Sequence, residues 1–147
     1  MLFEIVVVCG KNDKVRAKLQ KISVPPRHAT KIIGFTTEMD QLLCAADLVL
    51  SKPGGLTTSE ILARGAAFAI VNPIPGQESR NSDYLLENGA AIKINNVPTM
   101  AQKLAPLLGD RGRLQELKDH AKRLGKPQAA YDVARIALRL AGNGGTT

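Results

Sequence analysis

The sequence is poor in the residues on which several classes of protein depend. Its 147 residues include no tryptophan, three phenylalanines and two tyrosines. Proteins that bind single-stranded nucleic acid stack the bases on aromatic side chains, so this scarcity argues against a nucleic-acid partner. The longest apolar runs, residues 5–9 and 66–71, are far shorter than the roughly 20 residues that span a bilayer, and no signal-peptide pattern precedes them. We therefore expect a chain that neither crosses a membrane nor is exported.

Cysteine is also scarce. Cys9 and Cys44 are the two cysteines, and each lies within an apolar stretch where a free thiol behaves as a small buried hydrophobic side chain. They form neither a CxxC pair nor a cluster with histidine, so we expect neither a metal site nor a redox pair. Unpaired cysteines suit a reducing compartment, which predicts a cytoplasmic protein.

What the chain does contain is enough apolar material for one globular domain. The hydrophobic content is 44%, and 20 lysines and arginines against 13 acidic residues give a net charge of +7. A basic balance suits phosphate-bearing ligands, anionic lipid headgroups or nucleic acid, without choosing among them.

Short apolar runs alternate with helical patterns along most of the chain. Strands are predicted at residues 3–8, 31–34, 47–51, 67–72 and 91–94, and helices at 14–21, 39–45, 57–64, 81–87 and 99–108. Few of the strand runs alternate with polar residues, which is typical of parallel strands covered on both faces. The sequence thus predicts an α/β domain built on a parallel sheet with helices on both faces. Gly65 and Gly89 are expected to end two helices in the left-handed conformation.

Beyond Gly109 the pattern is wholly helical. An apolar stripe through Leu114, Leu117 and Ala121 predicts one helix, and a second is predicted from about Gln128 to Leu140. We expect both C-terminal helices to cover the sheet. Residues 142–147 have no apolar anchor and predict a disordered tail, which leaves residues 1–141 as the folded domain.

The segment SKPGGLTTSE has the pattern of an anion-binding turn. An apolar strand ends at Ser51, passes through Gly54 and Gly55, and opens a helix that is rich in hydroxyl groups. Glycines let backbone amides approach a ligand, and a helix N-terminus carries roughly half a positive charge, so a phosphate or diphosphate fits there. Glu60 is an acceptor suited to a pair of sugar hydroxyls. The alternative is a tight connection in which Thr57 or Thr58 caps the helix and Glu60 is solvated.

A second polar segment, NPIPGQESRNSD, follows the next predicted strand. Gln77, Glu78 and Asn81 offer the mixed donors and acceptors that recognition of several hexose hydroxyls needs. Ligands of open α/β sheets bind beyond the carboxyl ends of the strands, so this segment and the Gly54 turn are expected to face one crevice. The alternative is a surface turn with solvated side chains.

Three runs, VVVCGKNDKVRAKL, IIGFTTEMDQLLCAADLVLSKPGGLTTSE and NPIPGQESRNSDYLLENGAA, resemble the carboxyl-terminal, donor-binding domain of two-domain (GT-B) glycosyltransferases. The sequence is most similar to bacterial processive diacylglycerol glucosyltransferases and plant-type monogalactosyldiacylglycerol synthases, over about residues 3–140. This resemblance implies a Rossmann-like half of a GT-B enzyme. It also implies a UDP-sugar as the donor substrate, inverting transfer of the hexose to diacylglycerol, and neither a cofactor nor a metal in the reaction.

The resemblance also implies a role for each matching residue. The positions that would hold uracil are Phe35, Thr36 and Met39. The positions that would hold the diphosphate are Gly54, Gly55, Leu56, Thr57 and Thr58. Glu60 would bind ribose, and the hexose would be read by Gln77, Glu78 and Asn81. No catalytic base is assigned, because in the resembling enzymes the amino-terminal domain supplies it.

An enzyme of the resembling type is more than twice as long as this chain. We therefore expect a fragment, inactive alone, whose missing amino-terminal domain provides the lipid acceptor site and peripheral contact with the cytoplasmic face of the membrane. Residues 3–8 resemble the second strand of the donor-binding domain, so its first strand and Gly-rich loop are expected to be absent. The apolar strand edge left open would favour a homodimer of the fragment.

Three other functions are compatible with parts of the sequence. The GGxT element also occurs in the peptidoglycan lipid-intermediate N-acetylglucosaminyltransferase, which the PGQExxN element disfavours. A non-catalytic UDP-sugar-binding subunit of a split membrane glycosyltransferase would have the same motifs. A basic nucleic-acid binder would instead show strongly salt-dependent affinity for DNA or RNA and no affinity for UDP.

Overall fold

The structure, a computed structural model, describes residues 2–142 and the backbone of residue 143. The chain divides into two compact units, residues 1–42 and residues 43–147. Each unit is built on parallel strands and contains helices, so the predicted α/β class is confirmed.

The first unit contains a two-stranded parallel sheet. Strand β1 (Glu4–Val8) pairs with β2 (Ala29–Ile33), and helix α1 (Asp13–Leu19) connects them. The helix begins after Asn12, whose side-chain oxygen accepts a hydrogen bond from the Val15 amide at 3.1 Å. Among the described residues up to 42, none is fully buried. Helix α2 (Met39–Ala45) begins in this unit.

The second unit is built on a three-stranded parallel sheet. Strand β4 (Ala67–Val71) lies at its centre, between β3 (Leu48–Ser51) and β5 (Ala91–Ile94). Ala67 to Ile70 are buried, as expected for an apolar central strand covered on both faces. The helices are α3 (Gly55–Arg64), α4 (Gln77–Glu87), α5 (Met100–Gly109), α6 (Arg111–Leu124) and α7 (Ala129–Asn143), with a 3₁₀ turn at Val97–Thr99 before α5.

The predicted parallel strands pair as two separate sheets. Strands β1 and β2 pair with each other, β3 to β5 pair among themselves, and no pairing joins the two sets among the described residues. Apolar runs specify that a segment is a strand, but the neighbour that it pairs with depends on tertiary contacts. Strands β1 and β3 each have a single strand partner in the described chain, and self-association through an open edge stays a prediction.

The two glycines predicted to end helices do so. Gly65 follows α3 with φ of 66°, and Gly89 follows α4 with φ of 64°, both in the left-handed region. Beside Gly89, the His120 Nδ1 atom lies 2.8 Å from the Asn88 carbonyl oxygen, a contact that ties α6 to the end of α4.

The two C-terminal helices differ in what they contact. Helix α6 packs on α3 and β4 through Leu117 and Ala121, which are buried, so it covers the sheet as predicted. Helix α7 is exposed at every residue whose side chain is described, so the same prediction was wrong for α7. It includes residues 142 and 143, which the sequence placed in a tail, and residues 144–147 of that predicted tail lie outside the described residues.

The prediction that both cysteines are buried was wrong. Both are free thiols, and Cys44 is exposed whereas Cys9 is half-buried. Helix α2 buries only Leu43 among its residues, so the apolar run around Cys44 does not place the thiol in the core.

Candidate functional site

Two helices of the second unit begin at the same edge of the sheet. Strand β3 ends at Ser51 and α3 begins at Gly55, while β4 ends at Val71 and α4 begins at Gln77. Because β3 and β4 are neighbouring parallel strands, both helix N-termini lie beyond their carboxyl ends. The first amides of a helix have no partner within the helix, so this edge presents two sets of hydrogen-bond donors.

The turn before α3 contacts the first turns of α4. The Asn81 Nδ2 atom donates a hydrogen bond to the Pro53 carbonyl oxygen at 2.8 Å. A Cβ atom at Gly55 would lie 3.2 Å from the Gln77 Nε2 atom. The two segments that the sequence predicted to face one crevice are therefore adjacent. Helix α4 begins four residues before the predicted start, so Gln77 and Glu78 lie on a helix and not in a loop, and Asn81 lies in the helix as predicted.

The hydrogen bond from Asn81 to the Pro53 carbonyl is expected to stabilise the fold. Replacing Asn81 by alanine is expected to lower the free energy of unfolding by about 1–2 kcal/mol, because the carbonyl of the buried Pro53 loses its donor. Urea unfolding measures the change. Asn95→Ala, at an exposed position, is the control and should have little effect. Equal stability of the two variants would contradict the prediction.

Gly54 is a glycine that the fold itself does not require. Its φ of −63° and ψ of 153° suit any residue, and a Cβ atom there would meet nothing within 4 Å. It is the N-cap of α3 and makes no side-chain cap, although Ser, Asp or Asn would satisfy an amide at that position. The space beside the Gly54 Cα atom, at the N-terminus of α3, is consequently open.

Three backbone amides of α3 precede its first hydrogen bond. The Thr58 amide donates to the Gly54 carbonyl at 2.8 Å, so it is already used. The amides ahead of it belong to Gly55, Leu56 and Thr57. Of the predicted diphosphate residues, these three therefore offer main-chain donors, and Gly54 offers the open approach.

The hydroxyl groups of α3 are not equivalent. Ser59 donates its hydroxyl to the Gly55 carbonyl at 2.9 Å, which occupies it within the helix. Thr58 is buried, and its Oγ1 atom has no hydrogen-bond partner among the described residues. Thr57 is half-buried, and Leu56 and Glu60 are exposed on the helix.

Of the three residues predicted to contact a hexose, Gln77 is exposed and Asn81 is tied to Pro53. Glu78 has a structural contact, because its Oε2 atom accepts a hydrogen bond from the Ile74 amide at 2.7 Å and closes the loop after β4. This loop ends at Gly76, whose φ of 106° favours glycine.

The three residues predicted to hold uracil lie in the first unit. Phe35 follows β2 and is 66% exposed, and Met39 opens α2. The Thr36 hydroxyl oxygen accepts a hydrogen bond from the Glu38 amide at 3.0 Å, so it shapes the turn before α2.

Lys11 lies beside Phe35, and no sequence motif indicated a role for it. Its Nζ atom is 5.6 Å from the centroid of the Phe35 ring. The signal for this proximity is that the two residues follow the carboxyl ends of β1 and β2, which pair in parallel.

Among the described residues, no three or more histidine, cysteine, aspartate or glutamate side chains are grouped so as to hold a metal ion. None of the helices in that part of the chain has the length and apolar character needed to span a bilayer.

Residues 2–133 match the glycosyltransferase family 28 C-terminal domain. The chain belongs to this family. A processive diacylglycerol beta-glucosyltransferase of Bacillus licheniformis is 34% identical over 121 residues, which cover 82% of this chain and 32% of that protein. The protein of the same name from Bacillus cytotoxicus is 31% identical over 135 residues, which cover 92% of this chain and 35% of the relative.

The family domain also has the fold of a solved structure. The crystal structure of Acinetobacter baumannii MurG matches with a TM-score of 0.78 at 23% identity, over 92% of this chain and 41% of that one. This likeness establishes the Rossmann-like fold. The family domain spans about a third of the length of the curated relatives that it matches.

Proposed function

We propose that this family domain binds the UDP-sugar donor of an inverting glycosyltransferase that transfers a hexose to diacylglycerol. The observation that carries the proposal is Gly54, where neither backbone conformation nor packing calls for glycine, and which directly precedes three helix amides that have no partner within the helix. A diphosphate that approaches the backbone closely would explain why glycine occupies this position.

The arrangement suits departure of a nucleoside diphosphate. As the bond from the anomeric carbon to the diphosphate breaks, negative charge grows on the leaving oxygen. The amides of Gly55, Leu56 and Thr57 and the positive end of the α3 dipole would stabilise that charge. In this proposal the attacking lipid hydroxyl and its general base come from a part of the enzyme outside this chain, so the chain alone binds UDP and transfers no sugar. The reaction requires no cofactor.

The remaining contacts would be divided between ribose, base and hexose. Glu60 is the proposed ribose acceptor, Phe35, Thr36 and Met39 the uracil contacts, and Gln77 and Asn81 the hexose contacts. Glu78 keeps a proposed hexose role through the carboxylate oxygen that does not accept from Ile74. The acceptor is proposed from the names of the relatives, which act on diacylglycerol. A lipid acceptor would place the whole enzyme at the cytoplasmic face of the membrane.

Calorimetric titration with UDP, UDP-glucose, UDP-galactose and UDP-N-acetylglucosamine tests the proposal directly. We expect binding of UDP and tighter binding of one of the three UDP-sugars, which would identify the donor. A chain that is folded by circular dichroism but binds none of them contradicts the proposal. Salt-dependent binding of RNA or DNA in place of UDP would favour the nucleic-acid alternative.

Substitution of Glu60 tests the proposed ribose contact. Glu60→Ala is expected to weaken UDP binding more than tenfold, because the acceptor for the ribose hydroxyls is removed. The same change removes a negative charge from the second turn of α3, so affinity for pyrophosphate, which has no ribose, should stay the same or rise. Titration of both ligands separates the two effects.

Glu87→Ala is the matched control, since it removes an exposed glutamate from α4. It should leave both affinities unchanged. Unchanged UDP affinity in Glu60→Ala would remove Glu60 from the ribose role without affecting the diphosphate site.

A further inference from the structure

An exposed aromatic ring and a cation lie together where the strands of the first unit end. Phe35 is 66% exposed, and the Lys11 Nζ atom is over its ring, 5.6 Å from the centroid. At this distance the ammonium is attracted to the negative face of the ring. The ammonium lies over one face of the ring, and Phe35 is otherwise largely exposed.

The backbone holds Lys11 in this position. The Cys9 amide donates to the Ile33 carbonyl at 2.9 Å, which continues the pairing of β1 and β2 to the last residue before the turn. The Asn12 amide then donates to the Cys9 carbonyl at 3.1 Å, with Gly10 at a φ of 56°. Lys11 is therefore part of a closed turn.

The same turn packs against the backbone that precedes Phe35. A Cβ atom at Gly34 would lie 3.6 Å from the Gly10 carbonyl oxygen and 3.3 Å from the Arg16 guanidinium. The turn at residues 9–12 and the segment at residues 34–36 are consequently side by side. The Lys11 ammonium and the Phe35 ring meet because the backbones that carry them are packed together.

We infer that Lys11 is a positioning residue for the nucleobase. Its ammonium restrains the Phe35 ring so that the opposite ring face stacks on uracil. Bases stack well on aromatic side chains, and a ring that is already oriented loses less conformational freedom on binding. This inference rests on the proposed function and adds a stacking face to the uracil contacts proposed above.

Substitution of Lys11 tests the inference in the full chain. Lys11→Met keeps the aliphatic stem and removes the ammonium, and it is expected to weaken UDP binding about threefold to fivefold, the size of an exposed cation–π contact. Pyrophosphate binding should not change, because pyrophosphate has no base. Lys11→Arg keeps a cation that stacks on aromatic faces and should bind UDP as the unaltered chain does.

Two controls distinguish restraint of the Phe35 ring by Lys11 from general attraction of the anionic ligand by the ammonium. Lys14→Met removes one exposed lysine of α1 and should leave the ratio of UDP to pyrophosphate affinity unchanged. In a Phe35→Leu background, Lys11→Met should have no further effect, because Lys11 acts through the ring.

Three outcomes would overturn the inference. One is a chain that binds UDP and is unaffected by Lys11→Met. Another is an equal loss of UDP and pyrophosphate affinity, which would mean general attraction by the ammonium. A third is a full Lys11→Met effect in the Phe35→Leu background. If the unaltered chain does not bind UDP, the proposed function is wrong, and this inference is wrong with it.

Discussion

Replacing Gly54 by aspartate is expected to weaken UDP binding about a hundredfold while the free energy of unfolding stays equal or rises slightly. The backbone at Gly54 suits any residue, and a side chain there meets nothing within 4 Å. Aspartate is a preferred N-cap and a favourable charge at a helix N-terminus, so the fold tolerates or gains from it. The same carboxylate would stand in front of the amides that are proposed to hold the diphosphate.

The size of the effect follows from the charge. Two unit charges about 4 Å apart interact by about 4 kcal/mol at an effective dielectric constant of about 20. A hundredfold loss corresponds to about 2.7 kcal/mol, so repulsion alone is large enough. Calorimetric titration with UDP and urea unfolding of the same samples measure the two quantities.

Gly54→Ser is the matched control, because it provides a cap without a charge. It should be as stable as Gly54→Asp and should lose less UDP affinity, through steric overlap alone. If Gly54→Asp binds UDP as the unaltered chain does, the diphosphate does not lie at the N-terminus of α3, and the proposed site is wrong.

Replacing Gly125 by alanine is expected to lower the free energy of unfolding by about 2–3 kcal/mol. Gly125 ends α6, where its amide donates to the Ala121 carbonyl at 2.9 Å. An added Cβ would overlap the carbonyl oxygen of Leu62 and lie 2.9 Å from its carbonyl carbon. The obstacle is backbone of the last turn of α3, so the helices themselves must move apart, and overpacking of this kind costs roughly 1–3 kcal/mol.

Gly109→Ala provides the control for this change. Gly109 is the last residue of α5, and an added Cβ there meets nothing within 4 Å. Alanine is the better helix former, so this variant should be as stable as the unaltered chain or slightly more stable. Urea unfolding of both variants gives the comparison, and equal stability would show that α6 does not approach α3 as closely as described.

Helix α4 illustrates how far the sequence could predict the candidate site. The motif PGQESRN was identified as polar and ligand-facing, but proline and glycine at its start suggested a loop that continued to Arg80. The helix in fact begins at Gln77, directly after Gly76. Propensity cannot find this start, because the loop is closed by a hydrogen bond from the Ile74 amide to Glu78, a contact that exists only once the turn has formed.

Helix α7 shows a second limit of prediction from the sequence. Its periodicity predicted a helix, and a helix forms at Ala129–Asn143. Periodicity also predicted that its apolar face would pack on the sheet, yet Ile136 and Leu140 are 57% and 70% exposed. An amphipathic pattern states that one face is apolar, not which surface covers it.

The sequence by itself determined the α/β class, the left-handed glycines after α3 and α4, and the two motifs that follow neighbouring strands. Each of these depends on local periodicity or on the conformational freedom of one residue, which neighbouring residues are enough to specify. Only the tertiary structure decided that the strands form two sheets, that Asn81 ties the Gly54 turn to α4, and that Lys11 meets Phe35. These are contacts between segments that are distant along the chain, and their geometry is fixed by packing, which no local pattern encodes.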